Sequence, residues 1–411
     1  MSSAQKQYGV FSLPVIVGAL GFFVDVFDLL LFSIIRKPSL ESLHLSPEEV
    51  LSKGELIISV QMIGLMIGGV IWGIMGDKKG RLSVLFGSII LYSLANIANG
   101  LVQTVPQYTL MRFLSGIGLA GELGASITLV SEMLPKEKRG IAASIIASVG
   151  VCGAVTAFFV YHAFNDWRLC YYIGGGMGLL LLLLRANVME SGLYGDVKKT
   201  GVQRGNFLML FNNKERFLRY VKGVLIGLPV WYVIGILITF SDKFGKEFGI
   251  DGVDPGKAIM YQYIAIGIGD LSAGLLSNYL KSRKKALYTF FCILSFFVIL
   301  YFMQGGGRGS VQTMYLLCGG LGFGAGFSVL YITMSAEQFG TNLRASTAIS
   351  IPNVVRGILP LIILLHRGFR SLTGDYVTGG WMTGIVIMAL AVIAAYHTKE
   401  TFGRDMNYLE E

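Results

Sequence analysis

Long apolar runs, separated by short polar or charged segments, extend along the whole chain. A helix that crosses a membrane needs about 20 predominantly apolar residues, and twelve runs approach or exceed that length. Their approximate cores are Pro14–Ile35, Leu56–Met75, Val84–Leu101, Gln107–Leu134, Gly140–Val160, Leu169–Leu184, Tyr220–Phe240, Met260–Leu280, Ala286–Met303, Met314–Thr333, Ala345–Leu365 and Gly380–Tyr396. This pattern predicts an all-α membrane protein with twelve transmembrane helices, of which the sixth is short.

The composition supports the same class of protein. Of the 411 residues, 53% are hydrophobic and 14% are charged, whereas soluble proteins carry about 25% charged residues. A soluble fold of this composition would lack the polar side chains needed to cover its surface. The net charge is +9, but the basic residues form short clusters between apolar runs rather than one patch, which argues against a nucleic-acid partner.

Residue types that usually perform catalysis or bind metals show no corresponding pattern. The four histidines are scattered at predicted loops or helix ends, without the spacing of metal ligands. The four cysteines lie in apolar segments without a CxxC pair. No GxxxxGK(S/T) phosphate-binding loop occurs, so an ATP-driven pump is not indicated. We therefore expect neither an enzyme nor a bound metal or cofactor.

The positions of Lys and Arg predict the orientation of the helices, because cytoplasmic loops are enriched in these residues. Most of the 34 basic residues fall on one side of the membrane if both termini are cytoplasmic. The longest basic stretch joins two sets of six helices. We predict an N-terminal six-helix bundle at 1–184, a cytoplasmic linker at 185–219 and a C-terminal six-helix bundle at 220–411.

The two predicted bundles contain related sequences. After the fourth run the chain reads SEMLPKEKRG, and after the tenth it reads AEQFGTNLRA. Glu132 and Arg139 of the first sequence recur at the same spacing as Glu337 and Arg344 of the second. Repeated halves of this kind are a common architecture of secondary transporters.

Three short motifs resemble those of the major facilitator superfamily, and the likeness covers essentially the whole chain. They are GIMGDKKGR (73–81), RFLSGIGLAGE (112–122) and NDWR (165–168). The nearest likeness is to metabolite:proton and phosphate:proton symporters, whose first helix similarly carries two acids, and to sugar porters. The resemblance implies the major facilitator fold and transport by alternating access. The seventh run lacks the Gln-rich sugar-binding signature, which argues against a hexose substrate.

The resemblance also implies a gate at the cytoplasmic face. A carboxylate such as Asp77 can lie against the N-terminus of the eleventh helix, where the helix dipole stabilises negative charge by about 0.3–1 kcal/mol. Basic and acidic loop residues would pair to hold that face closed. The predicted gate residues are Gly73, Asp77, Gly80, Arg81, Glu132, Arg139, Glu337 and Arg344. The alternative is that these charges only set the topology.

Six ionisable residues lie well inside the predicted helices, where such residues usually line a cavity or meet a partner. They are Asp25, Asp28, Arg112, Glu122, Asp270 and Arg356. Counting about 1.5 Å per residue from the helix ends places Asp28 and Arg112 at the same depth. A carboxylate that gains and loses an arginine neighbour can alternately release and bind a proton. Asp25, Asp28, Arg112 and Glu122 are therefore the proton-coupling candidates, with Asp28 first. The alternatives are a static buried ion pair, an acid that simply faces water, or a close helix contact at Glu122.

The C-terminal half offers different candidates. At the offset of the repeated loop, the two candidates of the fourth helix correspond to Leu317 and Phe327, so proton coupling is expected in the N-terminal half. The planar fork of Arg356 suits a carboxylate or phosphate, and Asp270 either takes part in the site or neutralises this arginine permanently. The further substrate-binding candidates are Trp231, Tyr232, Asn353 and Gln61; packing between helices is the alternative for the two aromatic residues.

Together these features favour a secondary transporter, driven by a proton gradient, that carries a small organic or inorganic anion by symport. The alternative is a uniporter or proton antiporter of a neutral or cationic metabolite or drug. The expected partners are a small-molecule substrate, protons and membrane lipids, with the chain acting as a monomer. No Asn-x-Ser/Thr glycosylation acceptor occurs, and we expect a multi-pass protein of a prokaryotic inner membrane.

Overall fold

The computed structural model describes residues 11–79, 81–122, 136–190, 207–306 and 309–403, and within these ranges the chain is helical, without strands. The first half comprises α1 (Leu13–Glu41), α2 (Pro47–Lys79), α3 (Arg81–Asn99), α4 (Val105–Leu119), α5 (Lys136–Phe164) and α6 (Trp167–Glu190). The second half comprises a 3₁₀ turn (Phe207–Leu210), α7 (Lys214–Tyr232), a π-helical segment (Val233–Ile238), α8 (Ser241–Phe248), α9 (Pro255–Tyr279), α10 (Arg283–Phe302), α11 (Val311–Ala325), α12 (Ser328–Glu337), α13 (Thr341–Gly357), α14 (Leu359–Thr373) and α15 (Tyr376–Tyr396).

These helices fit the twelve-helix membrane architecture predicted from the sequence. Ten helices among the described residues are long and apolar enough to cross a membrane. The third predicted span corresponds to the shorter apolar stretch Ser83–Asn99 in α3, and the fourth to α4. The tenth and eleventh spans each consist of two consecutive helices, α11 with α12 and α13 with α14.

The first and sixth helices are longer than their apolar runs. α1 continues past the predicted end of the run at Ile35 and includes Arg36 and Pro38. α6 continues past Leu184, so Arg185, which the sequence assigns to the linker, is a buried helix residue. Both arginines lie inside helices because each binds polar groups of neighbouring helices there, as described below.

Three spans contain breaks that the apolar pattern does not indicate. The seventh passes from α7 into the π-helical segment four residues after Pro229, and the Thr239 hydroxyl donates to the Ile234 carbonyl at 2.7 Å. The tenth is interrupted between α11 and α12, and the eleventh between α13 and α14, next to Pro360. Proline removes a backbone donor, and π segments occur frequently at functional sites.

Glycine contacts in the two halves support the internal repeat. A Cβ atom at Gly116 of α4 would meet the Gln61 carbonyl oxygen at 2.2 Å, and one at Gly322 of α11 would meet the Gln262 carbonyl oxygen at 2.2 Å. In each half, therefore, a glycine allows the same pair of helices to approach closely. The halves are structural repeats at the level of single contacts.

A second pair of contacts confirms this register. A Cβ atom at Gly68 would meet the Ile117 carbonyl oxygen at 2.4 Å, and one at Gly269 would meet the Phe323 carbonyl oxygen at 2.4 Å. These contacts align Gly116 with Gly322 in the fourth and tenth spans. This alignment is shifted by one residue from the one that matches Glu132 with Glu337 in the repeated loop. Cys318 and Ser328, rather than Leu317 and Phe327, therefore correspond to the ionisable residues of the fourth span, and both are uncharged.

The halves meet along two pairs of helices. α2 packs against α13, and α5 packs against α9, while α1 lies between α5 and α6 and also reaches α9. This arrangement places the middle of α1 at the centre of the molecule. We call the end at which α1 finishes and α2 begins the outer end, because the charge pattern predicts that it faces away from the cytoplasm.

Candidate functional site

Asp28 and Arg112 lie side by side at the centre of the N-terminal half, and both are fully buried. Arg112 Nη2 donates to the main-chain carbonyl of Asp28 at 3.1 Å, and Nη1 donates to Asn96 Oδ1 at 3.4 Å. Among the described residues, neither carboxylate oxygen of Asp28 has a hydrogen-bond partner. Arg112 is thus held beside Asp28 by the main-chain carbonyl of Asp28. The side-chain carboxylate of Asp28 keeps its full capacity to form hydrogen bonds.

Two neighbours define the space around the Asp28 carboxylate. Asn96 of α3 interacts favourably with it, although no hydrogen bond of normal length joins the two side chains. Gly174 of α6 leaves room for it, because a Cβ atom there would lie 2.2 Å from Asp28 Oδ1. Residue 174 therefore has to be small for the carboxylate to remain beside Arg112.

Asp25 lies one turn before Asp28 and is the acid that faces both halves. It is fully buried, and among the described residues neither of its carboxylate oxygens has a hydrogen-bond partner. The attractive charge acting on it is Arg356 of α13, while Glu122 and Asp28 repel it. Asp25 thus connects the acids of the first half with the arginine of the second.

Glu122, the third acid among the proton-coupling candidates, forms a buried ion pair with Arg185 of α6. Arg185 Nη1 donates to Glu122 Oε2 at 2.9 Å, Nη2 contacts Oε1, and Nη2 also donates to the Val17 carbonyl at 3.5 Å. Gly21 of α1 makes room for the pair, because a Cβ atom there would lie 2.0 Å from Glu122 Oε1. The pair therefore joins the cytoplasmic parts of α1, α4 and α6.

Arg356 is a buried cation near the end of α13 in the C-terminal half, and it contacts one amide and one ring. Its Nη1 donates to Asn353 Oδ1 at 3.5 Å, and its guanidinium lies 5.8 Å from the centroid of the Trp231 ring. Two buried tyrosines, Tyr263 and Tyr331, interact with it electrostatically. These residues leave the arginine without a carboxylate hydrogen-bonded to it among the described side chains.

Asp270 has a different position from the one expected for a permanent partner of Arg356. Its Oδ1 accepts hydrogen bonds from Ser328 Oγ at 2.8 Å and from the Val329 backbone N–H at 3.2 Å. These donors are the first residues of α12, where a carboxylate is stabilised by the helix N-terminus. Asp270 therefore caps the second helix of the broken tenth span.

Asn353 connects the two halves. Its Nδ2 donates to the Ala120 carbonyl, at the end of α4, at 3.0 Å and to the Ile349 carbonyl at 3.1 Å. Its Cβ atom lies 2.9 Å from the position a Cβ would take at Gly69 of α2. The amide thus links Arg356 to the N-terminal half.

The remaining two substrate-binding candidates use their polar groups within one half. Gln61 Nε2 donates to the Leu29 carbonyl of α1 at 3.3 Å. The Tyr232 hydroxyl donates to the Gly380 carbonyl of α15 at 2.9 Å. Both contacts join neighbouring helices. Of the two aromatic candidates, therefore, Tyr232 has a packing contact, whereas Trp231 lies beside Arg356.

Most of the predicted cytoplasmic gate lies outside the described residues. This applies to Gly80 and Glu132 and to the side chains of Asp77, Arg81, Arg139 and Arg344. Gly73 lies in α2 with open space around it. Glu337 pairs with Arg283 at 3.0 Å and accepts from the Thr401 hydroxyl at 2.6 Å, so its described partners belong to its own half.

At the outer end, two ion pairs that the sequence does not predict join the halves. Arg36 of α1 is 2.9 Å from Asp242 of α8, and its Nη2 also donates to the Thr239 carbonyl at 3.3 Å. Glu55 of α2 pairs with Arg367 of α14. Arg36 and Glu55 are both buried. These contacts hold the outer ends of the two halves together in this structure.

Arg185 and Asn96 were not predicted as site residues, although the sequence around each contains a feature that indicates a buried polar position. Arg185 follows directly on the apolar run of the sixth helix. Asn96 shares one face of α3 with Tyr92 and Ser88, at spacings of four residues, within a run that also contains Ser93 and Asn99. Polar residues at helical spacing inside a span indicate a face that is turned towards other polar groups.

Comparison with known proteins gives a consistent result. A family model described as Major Facilitator Superfamily matches residues 18–364. A putative metabolite transport protein of Haemophilus influenzae is 30% identical over 375 residues, which cover 87% of this chain and 88% of that protein. The niacin transporter NiaP of Acinetobacter baylyi is 26% identical, with 96% of this chain and 95% of that protein covered.

Among solved structures, the proton:xylose symporter XylE bound to 6-bromo-6-deoxy-D-glucose has a similar fold. Its TM-score is 0.69 at 17% sequence identity, with 96% of this chain and 97% of that chain covered. At this identity the likeness concerns the arrangement of the helices.

Proposed function

The chain belongs to the Major Facilitator Superfamily, and we propose that within it the protein is a proton-coupled symporter of a small organic or inorganic anion. As a member it is a multi-pass transporter of a prokaryotic inner membrane and not an enzyme. We add to this the coupling to protons, the anionic nature of the substrate, and the residues that bind the proton and the substrate.

One observation carries the proposal of proton coupling: two fully buried aspartates have no hydrogen-bond partner for their carboxylates among the described residues. A buried carboxylate without donors is far more stable neutral than charged. Asp28 lies beside Arg112, and Asp25 is attracted by Arg356. An aspartate that faces an arginine in one conformation and loses it in another must exchange a proton with its surroundings.

The anionic substrate is supported by Arg356. Its guanidinium is buried and has only the Asn353 amide as a hydrogen-bond partner among the described residues. The planar fork of an arginine binds a carboxylate through two parallel hydrogen bonds, and Trp231 offers an aromatic face beside it. The similarity to a niacin transporter favours an aromatic carboxylate.

Arg356 couples binding of the anion to binding of the proton, because its positive charge attracts both the anion and Asp25. An anion that binds Arg356 weakens the attraction between Arg356 and Asp25, so Asp25 is then most stable with a proton. The loaded site carries no additional net charge when one proton accompanies a monovalent anion. This neutrality favours the change of conformation with both ligands bound, because moving a net charge through the membrane interior is costly.

A neutral or cationic substrate is the second candidate. The candidate acids of the spans are the buried Asp25, Asp28 and Glu122 and the partly buried Asp270, against the buried arginines Arg112, Arg356 and Arg185. The two unpaired aspartates would then bind the substrate themselves. In this case a proton would leave as the substrate enters, and the transport would be antiport.

Uptake by proteoliposomes distinguishes these candidates. Vesicles with an alkaline interior are given radiolabelled nicotinate, benzoate, phosphate or glycine betaine. We expect the pH gradient to drive accumulation of one of the anions, and Asp28→Asn to abolish this accumulation. Arg356→Ala should abolish binding of the same anion. Asp251→Asn, at an exposed turn, is the matched control and should behave like the wild type.

Accumulation of glycine betaine alone, or uptake that ignores the pH gradient, would contradict the proposed symport of an anion. Stabilisation against heat provides a second measurement that needs no vesicles. A ligand that binds only the folded protein raises the unfolding temperature, by an amount that grows with the logarithm of its concentration above the dissociation constant. An anion should therefore stabilise the wild type and Asp251→Asn but not Arg356→Ala.

A further inference from the structure

A buried polar stripe on α3 contains Asn96, which belongs to the Asp28–Arg112 site, and two further residues that the transport cycle outlined above does not use. Ser88, Tyr92 and Asn96 follow one another at intervals of four residues and therefore lie on one face of the helix. All three are fully buried. A stripe of this kind inside a membrane span indicates a polar path, because polar side chains that face lipid are strongly disfavoured.

The two ends of this stripe lie at the two acidic centres of the N-terminal half. Asn96 accepts a hydrogen bond from Arg112 and lies beside the Asp28 carboxylate. At the other end, Ser88 Cβ lies 2.8 Å from the position that a Cβ atom would take at Gly121, the residue before Glu122. The stripe therefore runs from the Asp28 centre to the Glu122 centre.

Tyr92 occupies the middle of the stripe. With a rise of about 1.5 Å per residue, it is about 6 Å along the helix axis from both Ser88 and Asn96. Two glycines allow its neighbours to approach: a Cβ atom at Gly118 of α4 would lie 2.6 Å from the Tyr92 backbone nitrogen, and one at Gly178 of α6 would lie 2.9 Å from its Cε2 atom. The ring is thus fixed in position between α4 and α6.

The hydroxyl of Tyr92 has no hydrogen-bond partner among the described residues, although buried hydroxyls almost always have one. The same is true of both Asp28 oxygens and of Asn96 Nδ2. The charged groups that act on Tyr92 come from three neighbouring helices or their ends: Asp25 and Asp28 of α1, Glu122 after α4 and Arg185 of α6. Buried polar groups without protein partners normally bind water.

We propose that Tyr92 is a relay residue that passes the coupled proton, through hydrogen-bonded water, between the Asp28 centre and the Glu122–Arg185 pair. The inference rests on the proposed proton coupling. Water that has received the proton from Asp28 gives a proton to the Tyr92 oxygen, and the original hydroxyl proton leaves towards Glu122. One O–H bond forms as another breaks, so Tyr92 is neutral before and after, and the charge moves from one acid to the other.

In this relay, Glu122 is the proton acceptor at the cytoplasmic end of the path. The carboxylate of Glu122 receives the proton while Arg185 remains charged, since an arginine does not release its proton in proteins. Because Glu122 lies at the cytoplasmic side of Tyr92 and Asp28 at the outer side, the path is directed along the membrane normal. Asp25, closer to Arg356, exchanges its proton with the same chain of water.

Tyr92→Phe removes only the hydroxyl and provides the test. The anion that the wild type accumulates, nicotinate or benzoate, is used as the probe in two assays on the same vesicles. We expect accumulation driven by a pH gradient to fall at least tenfold. Exchange of labelled for unlabelled anion at equal pH should stay within twofold of the wild type, because exchange needs no net movement of a proton.

Tyr108→Phe is the matched control. Tyr108 is also fully buried in this half, but its hydroxyl bonds to Tyr171 at 2.7 Å and to Ser39 at 3.3 Å. Losing these bonds should lower the unfolding temperature and should affect accumulation and exchange by the same factor. Tyr92→His, which restores a group that can both donate and accept, should recover part of the accumulation with a shifted pH profile.

Three outcomes would overturn the relay. The first is accumulation by Tyr92→Phe with the rate and pH profile of the wild type. The second is an equal loss of accumulation and exchange, which indicates a structural role. The third is no recovery in a folded Tyr92→His variant. Wild-type vesicles that ignore the pH gradient would instead contradict the proposed symport itself, and the relay with it.

Discussion

Single glycines determine where the buried acids of the N-terminal half can lie. Gly174 of α6 faces Asp28, and Gly21 of α1 faces Glu122 and Arg185, in each case closer than any Cβ atom would allow. A glycine at these positions therefore does more than permit helices to pack. It leaves space for a carboxylate at one particular depth in the membrane.

Gly174→Ala should impair proton coupling without removing any charged group. Its Cβ atom would lie 2.2 Å from Asp28 Oδ1, so the carboxylate must move. Overpacking of this kind costs about 1–3 kcal/mol, and about 1.4 kcal/mol corresponds to a tenfold change in a rate. We expect a decrease of about tenfold or more in pH-driven uptake.

Gly176→Ala is the control for this change, because a Cβ atom at Gly176 meets nothing within 4 Å. The two variants differ only in which face of α6 carries the new methyl group. Uptake and thermal unfolding are measured for both. Equal uptake by the two variants would show that the position of the Asp28 carboxylate does not matter for coupling.

For single residues, the sequence predicted which acids lie inside the membrane spans, but it did not predict the side chains with which they pair. Asp25 and Asp28 stand out because charges are rare in apolar runs. The pairing of Glu122 with Arg185 depends on how α4 and α6 are rotated against each other, and one sequence does not specify this rotation. Asp270 shows the same limit, because its partners at the start of α12 exist only where the tenth span is broken.

Among the elements, α10 has an unusual cap at its cytoplasmic end. Glu400, beyond the end of α15, accepts hydrogen bonds from the backbone N–H groups of Arg283 and Lys284 and from the Ser282 hydroxyl. Burial opposes ionisation of this carboxyl, but these bonds and one from the Phe402 N–H outweigh it and lower its pKa from 4.5 to about 2. The chain after α15 is thereby fastened to the start of α10.

Glu400→Gln should lower the unfolding temperature at pH 7. A cap contributes about 1 kcal/mol, which corresponds to a few degrees at most in a protein of this size. Because the folded-state pKa is depressed, the stabilisation is complete above about pH 4.5 and is lost as the pH falls towards 2. The difference between the variant and the wild type should therefore shrink as the pH falls from about 4.5 to about 2.

Glu247→Gln serves as the comparison, since Glu247 forms an exposed pair with Lys243 on the same helix at 2.8 Å. Such pairs contribute about 0.3–0.5 kcal/mol. A fall in unfolding temperature as large as that of Glu400→Gln would contradict a special role for the cap. So would a difference for Glu400→Gln that is independent of pH.

The repeated glycine contacts give a prediction for pairs of helices. Gly116→Ala and Gly322→Ala each place a Cβ atom 2.2 Å from a carbonyl oxygen of the facing helix. Because backbone cannot move as easily as a side chain, both changes should destabilise the protein by about 1–3 kcal/mol. Gly274→Ala, in open space on α9, should not destabilise the protein, because alanine favours the helix more than glycine does. Unequal losses at the two repeated positions would contradict the equivalence of the contacts.

The number and order of the helices followed from the apolar pattern, since a span needs a minimum length of apolar residues. The breaks did not follow. The π-helical segment Val233–Ile238 is apolar throughout and reads as continuous helix, although Pro229 precedes it. The extension of α6 past Leu184 was also missed, because an arginine in a cytoplasmic position normally marks the end of a span.

Over the whole molecule, the repeated halves have taken on different chemistry. The fourth span carries Arg112 and Glu122, where the tenth carries the uncharged Cys318 and Ser328 in the register set by the glycine contacts. The second half instead contributes Arg356 at the interface between the halves. With the proposed proton site in one half and the proposed anion site in the other, a relative movement of the halves would change both sites at once.

The ion pairs at the outer end should hold the two halves in the conformation described. Arg36 is 2% exposed and depends on Asp242, the Thr239 carbonyl and the Phe240 ring, 4.6 Å away, for its partners. Removing one partner of a buried ion pair is destabilising by about 3–5 kcal/mol, because a charge stays buried without compensation. In Asp242→Asn, Arg36 regains full hydration only when the outer ends separate. We therefore expect this variant to favour a conformation that is open to the outside.

Distances between spin labels at His44→Cys and Asp251→Cys, on the outer turns of the two halves, measure this opening by double electron–electron resonance. The exposed Cys152 and Cys292 are replaced by serine beforehand. Asp242→Asn should increase the population with long distances by about tenfold or more, since about 1.4 kcal/mol shifts a two-state equilibrium tenfold. Lys243→Ala removes an ion pair within α8 and a contact with the Tyr376 ring, both inside the C-terminal half, and should leave the distribution unchanged. Identical distributions for Asp242→Asn and the wild type would mean that the pair does not control the outer opening, and the Glu55–Arg367 pair would then have to hold it closed alone.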